Sequence, residues 1–406
     1  MSKVQIAGGG IGGLAAALAC ARAGHEVCLC ERSTEVSEVG AGVQLGPNVV
    51  RVLHGWGLQA ALRQVAAVPE LLQVRSAITA NKLGRLRLGQ AFEQHYGAPY
   101  LTIHRADLHG VLLRAAQNTP GITLYFGSAI SRFSENEDGV SAEFSDDLQT
   151  RSDLLVGADG GWSTVRKLLL NDGTPQPTGH LAYRAMVPQR DLPAQLRSDQ
   201  VTAWLGPKLH VVQYPVRGGE WLNVVAIVHG QVRGDMSHWD NSANAQDLQL
   251  AMAPACTQLQ ALIGAIGVWR LWPLSIRPPM CGAHEHAKGR VALLGDAAHP
   301  MVPYLAQGAG MAIEDAAALA WALSLSATGQ ATVDEVPAQL QRYAQARWQR
   351  NARVQARAIR NGQIFHATGP MRWGRDVAMA LLDENLLDMP WLYGGAAHPT
   401  SVAMPR

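Results

Sequence analysis

The apolar and polar positions at the start of the chain alternate between two periods. Residues 3–7 form a short apolar run, Gly8 to Gly13 a glycine-rich break, and residues 14–23 an Ala/Leu-rich stretch with no breaker, closed by Gly24. A second apolar segment, Val27 to Leu29, runs on to Glu31. This order predicts strand, tight turn, helix, strand, the unit of a parallel doubly wound sheet. Ile122–Phe126, Leu154–Val156 and Val291–Leu294 read as further strands, and residues 311–325 and 337–361 as long helices. The stretch 176–277 instead alternates apolar and polar positions, with Trp and turn-forming Gly and Pro, which predicts a mostly antiparallel sheet. The expected fold class is therefore α/β. A Rossmann-like domain is assembled from segments 1–75, 101–175 and 278–365. An antiparallel β-sheet domain (76–100 and 176–277) is inserted into it, and 366–406 form a C-terminal helical tail.

Composition adds exclusions. The chain has 406 residues, 48% hydrophobic and 16% charged, so a large core is affordable and disorder is not expected. A formal net charge of +2 with no basic stripe argues against nucleic acid and membrane surfaces as partners. Cys20, Cys28, Cys30, Cys256 and Cys281 lack both a metal-ligand spacing and a disulfide pattern. No apolar run is long enough to span a bilayer, and the opening strand leaves no room for a signal peptide, so a cytoplasmic location is expected.

Gly8, Gly10 and Gly13, with Gly12 between, spell G-x-G-x-x-G between strand and helix. The first glycine makes the turn, the second admits a pyrophosphate, and the third lets helix and strand pack closely. The helix start adds free N–H groups and partial positive charge. Glu31, followed by Arg32, has the spacing of a carboxylate that binds ribose hydroxyls. Dinucleotide binding follows; FAD and NAD are not separated by this pattern.

Two later segments also join strand to helix. One is Gly157-Ala158-Asp159-Gly160-Gly161-Trp162-Ser163-Thr164-Val165-Arg166. The other is Gly295-Asp296-Ala297-Ala298-His299-Pro300, running through Pro303 and Gln307-Gly308-Ala309-Gly310 to Glu314 and Asp315. Singly, each aspartate could be a helix N-cap. Together with the first turn, they resemble the three fingerprints of the flavoprotein aromatic hydroxylases of the para-hydroxybenzoate hydroxylase fold, a likeness extending to about residue 365. The resemblance implies that Gly8–Gly13 and Glu31 hold the ADP half of FAD and that Asp296 binds the ribityl chain. It implies that Asp159 lies between FAD and the nicotinamide path, and that Arg105 lies near the flavin phosphates. The chain has a single G-x-G-x-x-G unit, and the resemblance implies that NADH or NADPH is a transient co-substrate.

Leu209–Pro215 reads as a strand that turns His210, Val212 and Tyr214 to one face. A His-x-x-x-Tyr pair here is similar to that of the 3-hydroxybenzoate and 6-hydroxynicotinate branches of the family, as are Gly40-Ala41-Gly42-Val43-Gln44-Leu45-Gly46-Pro47-Asn48 and Trp391-Leu392-Tyr393-Gly394. It implies that the histidine acts on the substrate hydroxyl and the tyrosine orients the substrate. Where hydroxynicotinate enzymes carry histidines, this chain has Gln44 and Tyr304; where the hydroxybenzoate enzymes carry glutamine, it has Pro303. These three, with Arg184, are the candidate substrate-side residues. The expected reaction hydroxylates a small aromatic acid with O2 through a C4a-hydroperoxyflavin. His210, at a pKa near the ordinary 6.5, would take the phenolic proton. The alternative is a flavin oxidase or dehydrogenase that inserts no oxygen. A homodimer is common in the family, and no metal is expected.

Overall fold

The structure, a computed structural model, describes residues 1–34, 41–230, 241–242, 245–324 and 335–395. Gly40 and the Gly/Ala/Pro-rich end at 396–406 lie outside the described residues. The opening segment folds as its pattern predicts. Lys3–Ala7 pairs in parallel with Glu26–Glu31 on one side and Leu154–Gly157 on the other. Ile122–Phe126 and Val291–Leu293 extend the sheet, and Ala287–Lys288 closes one edge as an antiparallel strand, giving six strands. The middle strands are buried and apolar, as a sheet covered on both faces requires.

The helix Ile11–Arg22 buries small side chains from Leu14 to Cys20 and lies against the helix Gly308–Ser324. Gly24, at φ +89°, follows its end. A run of alanine on both helices lets their backbones approach closely.

A second sheet has eight strands in the order Asn241–Ser242, Arg270–Ile276, Gln176–Pro188, Trp221–His229, Leu209–Val216, Val201–Gly206, Leu71–Ser76, Lys82–Arg87. Its neighbours are antiparallel except Leu71–Ser76, which runs parallel to Val201–Gly206. This sheet therefore begins at residue 71, because the ladder from Leu72 to Ser76 holds that segment to it. Register fixes which side chains share a row. Val225 faces both Arg184 and Val212; Ile227 faces His210, Asn223 faces Tyr214, and His180 faces His229.

Val336–Phe365 forms one helix of 30 residues, longer at both ends than its periodicity suggests. Arg347, fully buried within it, bonds Asp315 Oδ1 at 2.7 Å and Glu314 Oε2 at 2.8 Å. Among the described residues no helix is long and apolar enough to cross a membrane.

Candidate active site

The glycine turn has the geometry its spacing requires. Gly8 sits at φ +109°, open only to a residue without a Cβ. A Cβ on Gly13 would stand 1.9 Å from the Gly8 carbonyl oxygen, so only glycine lets this helix start so close to the strand. A Cβ on Gly10 would meet nothing within 4 Å, which leaves that face of the turn open to a large cavity. Glu31 accepts hydrogen bonds from Gly9 N–H at 2.6 Å and Ser33 N–H at 2.9 Å, so it is held beside the turn. Arg32 is exposed and lies off the cavity wall.

The other two segments reach the same cavity by different residues. Asp159 does not line the cavity; its carboxylate accepts from Thr164 N–H at 2.7 Å, Val165 N–H at 3.1 Å and the Ser163 hydroxyl. It caps the following helix, and its neighbours Ala158, Gly160, Gly161 and Trp162 line the wall. Burial raises the Asp159 pKa against those hydrogen bonds. Asp296 lines the cavity and is exposed. Gly308 and Ala309 line it at a helix start, where the first N–H groups lack intrahelical acceptors. Gly310 faces the other way, its absent Cβ leaving room for Val49. Arg105 completes this end.

The far end is the eight-stranded sheet. His210, Val212 and Tyr214 all line the cavity, as alternation along one strand requires. Arg184 joins them from two strands away, stacked over Trp272 at 4.7 Å from the ring centroid. Arg184 Nε and Trp272 Nε1 are buried donors with no acceptor among the described residues. Burial lowers the Arg184 pKa to about 10. Gln44 lines the wall and accepts from Tyr100 Oη at 2.7 Å. Pro303 also lines it. Tyr304 stands one layer behind, its ring edge-on to His210 at 5.0 Å and its hydroxyl 2.5 Å from His180 Nδ1. One expectation is overturned here. His210 does not keep an ordinary imidazole pKa: burial, then His180, pushes it down to about 3.

The family described as FAD binding domain matches residues 1–358. The 3-hydroxybenzoate 6-hydroxylase of Polaromonas naphthalenivorans is 36% identical over 394 residues, covering 96% of this chain and 95% of that protein. This chain belongs to the FAD-dependent aromatic hydroxylases. The 6-hydroxynicotinate 3-monooxygenase of Bordetella bronchiseptica is also similar, 36% identical over 320 residues, covering 78% of this chain and 81% of its own. A salicylate hydroxylase solved with substrate superposes with a TM-score of 0.81 at 26% identity, covering 100% of this chain and 98% of that one.

The hydroxylase takes FAD as its cofactor, and its residues fit that group. The open face at Gly10, the exposed Asp296 and the helix start at Gly308 border one continuous cavity, offering a dinucleotide backbone amides, a carboxylate and partial positive charge.

Sequence reading missed the support beneath this cavity. Asp315 accepts from Gly295 N–H at 3.0 Å and lies 2.5 Å from His299 Nε2, while Arg347 binds it from the long helix. Glu314 is held by Arg347, by Arg350 at 2.7 Å and by Asn48 Nδ2 at 2.7 Å. Burial pushes both carboxyls up, but the arginines outweigh it, together with His299 at Asp315, and both sit below the ordinary range. The only sequence signal was two adjacent acids in an otherwise apolar helix. A second unforeseen group is His180, His229 and His366, whose ring nitrogens gather behind His210.

Proposed function

We propose that this hydroxylase adds one oxygen to a small hydroxylated aromatic acid of the hydroxybenzoate or hydroxypyridine carboxylate type, with NADH or NADPH as electron donor. Supporting this are the relatives named for 3-hydroxybenzoate and 6-hydroxynicotinate and one feature of the cavity. The observation that carries it is a pair of buried donors, Arg184 Nε and Trp272 Nε1, which have no acceptor among the described residues and lie on the cavity that His210 and Tyr214 also line. Unpaired buried donors are costly unless a ligand supplies the acceptor. A carboxylate supplies two oxygens to a guanidinium. Arg184 lies level with Val212, midway between His210 and Tyr214 along the neighbouring strands. At about 4.8 Å per strand, the two strands lie roughly 10 Å apart, and the side chains reaching in from each leave the substrate between them.

Bound FAD supplies the redox chemistry and an electrophilic oxygen. The chain's own residues do the rest. Arg184 anchors the carboxylate, and Tyr214 fixes the ring. His210 accepts the phenolic proton at Nε2, which has no partner among the described residues. The resulting phenolate carries the charge that an electrophile needs. Val212, Val225, Ile227 and Leu274 keep water out. Gln44 and Pro303 on the wall, and Tyr304 behind it, shape the substrate. Glu31, held beside the glycine turn, and Asp296, on the cavity wall, serve the cofactor, and Asp159 acts through the loop it braces. The division into a cofactor part and an inserted substrate sheet belongs to the same reading. So does a cytoplasmic location, which suits five free cysteines.

A panel of hydroxylated aromatic acids tests this, scored for stimulated NADH or NADPH oxidation with the product weighed by mass spectrometry. A gain of one oxygen is expected. Oxidation of the aromatic with no added oxygen would move the chain to the oxidase alternative. Arg184→Met is expected to raise KM for the acid by roughly 10- to 100-fold, from the ~1.5–3 kcal/mol of a hydrogen bond to a charged group. An unchanged KM would remove Arg184 from the carboxylate site.

A further inference from the structure

His210 has a second nitrogen, and it leads out of the cavity. His210 Nδ1 lies 2.6 Å from His366 Nε2. His366 Nδ1 lies 2.9 Å from His229 Nε2. His210 and His366 are buried, whereas His229 is exposed. Three imidazoles thus form an unbroken hydrogen-bonded row from the substrate face to solvent.

The arrangement follows from strand register and one helix end. Ile227 faces His210, so His229, two residues on, stands on the same face of the sheet and diagonal to it. His180 is directly opposite His229. The long helix stops at Phe365, and His366 drops onto this patch, its carbonyl accepting from Lys208 N–H at 3.1 Å. Arg375 grips the helix end from the other side through the Phe365 carbonyl at 2.8 Å.

We propose that His366 and His229 form a proton exit that carries the substrate's phenolic proton from His210 to solvent. This rests on the reading of His210 as the proton acceptor. The steps balance without any change of electrons. The phenol O–H breaks as His210 Nε2–H forms, and His210 Nδ1–H passes to His366 Nε2. His366 Nδ1–H passes to His229 Nε2, and His229 Nδ1–H is released to water. Each ring changes tautomer once. Reprotonation of the product phenolate runs the row backward and resets it.

The electrostatics of the patch favour passing a proton over storing one. Burial and the neighbouring rings hold His210 at about 3 and His366 at about 2, so neither keeps a positive charge near neutral pH. His180, lowered to about 4 by burial and then His229, adds no charge, and the Tyr304 hydroxyl on its Nδ1 is held neutral by burial. Burial and then Lys208 lower His229, while Arg375 opposes charge on His366. A lone buried base would have to hold an imidazolium; a row gives the proton up as it accepts it.

The test is anaerobic stopped-flow mixing of the FAD-loaded enzyme with 3-hydroxybenzoate, following the phenolate absorbance of the bound probe. His366→Gln keeps hydrogen-bonding groups yet cannot pass a proton, and it is expected to slow phenolate formation by roughly ten-fold or more, less than the ~10²–10⁴-fold that loss of the general base itself costs. His229→Ala, at an exposed position that folding does not need, is expected to slow it too, with added imidazole restoring the rate. His210→Asn is expected to abolish it. If His366→Gln and His229→Ala match wild type while His210→Asn is dead, the exit is wrong and the acceptor stands. If all three match wild type, or wild type forms no phenolate, the acceptor reading falls and takes the exit with it.

Discussion

His210→Ala is expected to lower coupled hydroxylation by roughly 10²-fold or more, the scale of a removed general base, while FAD stays bound. The two effects separate because His210 stands on the eight-stranded sheet, apart from the glycine turn and the Gly308 helix start. NADH oxidation per oxygenated product should rise, since a phenol left protonated is a poor target for an electrophile. The pH profile is informative as well. His210 is lowered to about 3, so it stays neutral from neutral pH down to about that value. The acid side of the kcat/KM profile should therefore show no His210 limb near 6.5. Wild-type coupling in His210→Ala would strip His210 of its role, and a limb near 6.5 that vanishes in that variant would show an imidazole more solvated than its burial implies.

Arg347→Met is expected to destabilise the fold by about 3–5 kcal/mol, the usual penalty for removing one partner from a buried ion pair. The loss strands two carboxylates, Glu314 and Asp315, both nearly or fully buried. Arg350 still reaches Glu314, which keeps the penalty finite. Thermal unfolding of apo and FAD-loaded protein would measure it, and a shift within ~0.5 kcal/mol would show the network to be dispensable. The sign of the acid response follows. Both carboxyls are lowered in the folded state, so their stabilisation is complete above the unfolded pKa near 4 and is lost as pH falls through the folded values. Arg347→Met should flatten that acid-side loss.

Much of the cofactor end was legible because it is written in backbone geometry. Gly8 at positive φ and the missing Cβ of Gly13 are requirements that no neighbour can relax, so a fixed spacing reports them. The face shared by His210 and Tyr214 was legible for the same kind of reason, a period of two along one strand. The Asp159 segment was legible as a motif but not as a geometry: the same carboxylate that could meet a ligand is taken by three donors of its own loop. The histidine row was hidden because 210, 229 and 366 are separated in sequence and meet only through cross-strand register and the stopping point of a helix. The pKa of His210 was misjudged because composition carries no information about which ring is desolvated.

The 30-residue helix Val336–Phe365 is anchored at Arg347 beneath the flavin loop and ends one residue before His366. At 1.5 Å per residue, the distance between those points is about 28 Å. A tilt of about 2° at the anchor would swing the far end by about 1 Å, enough to part rings in hydrogen-bond contact. The rod thus works as a lever: a side chain trimmed at Arg347, beneath the Gly295 loop, should be felt as a misaligned imidazole at the far end of the helix, and distant substitutions along it should alter how faithfully reducing power ends up in product.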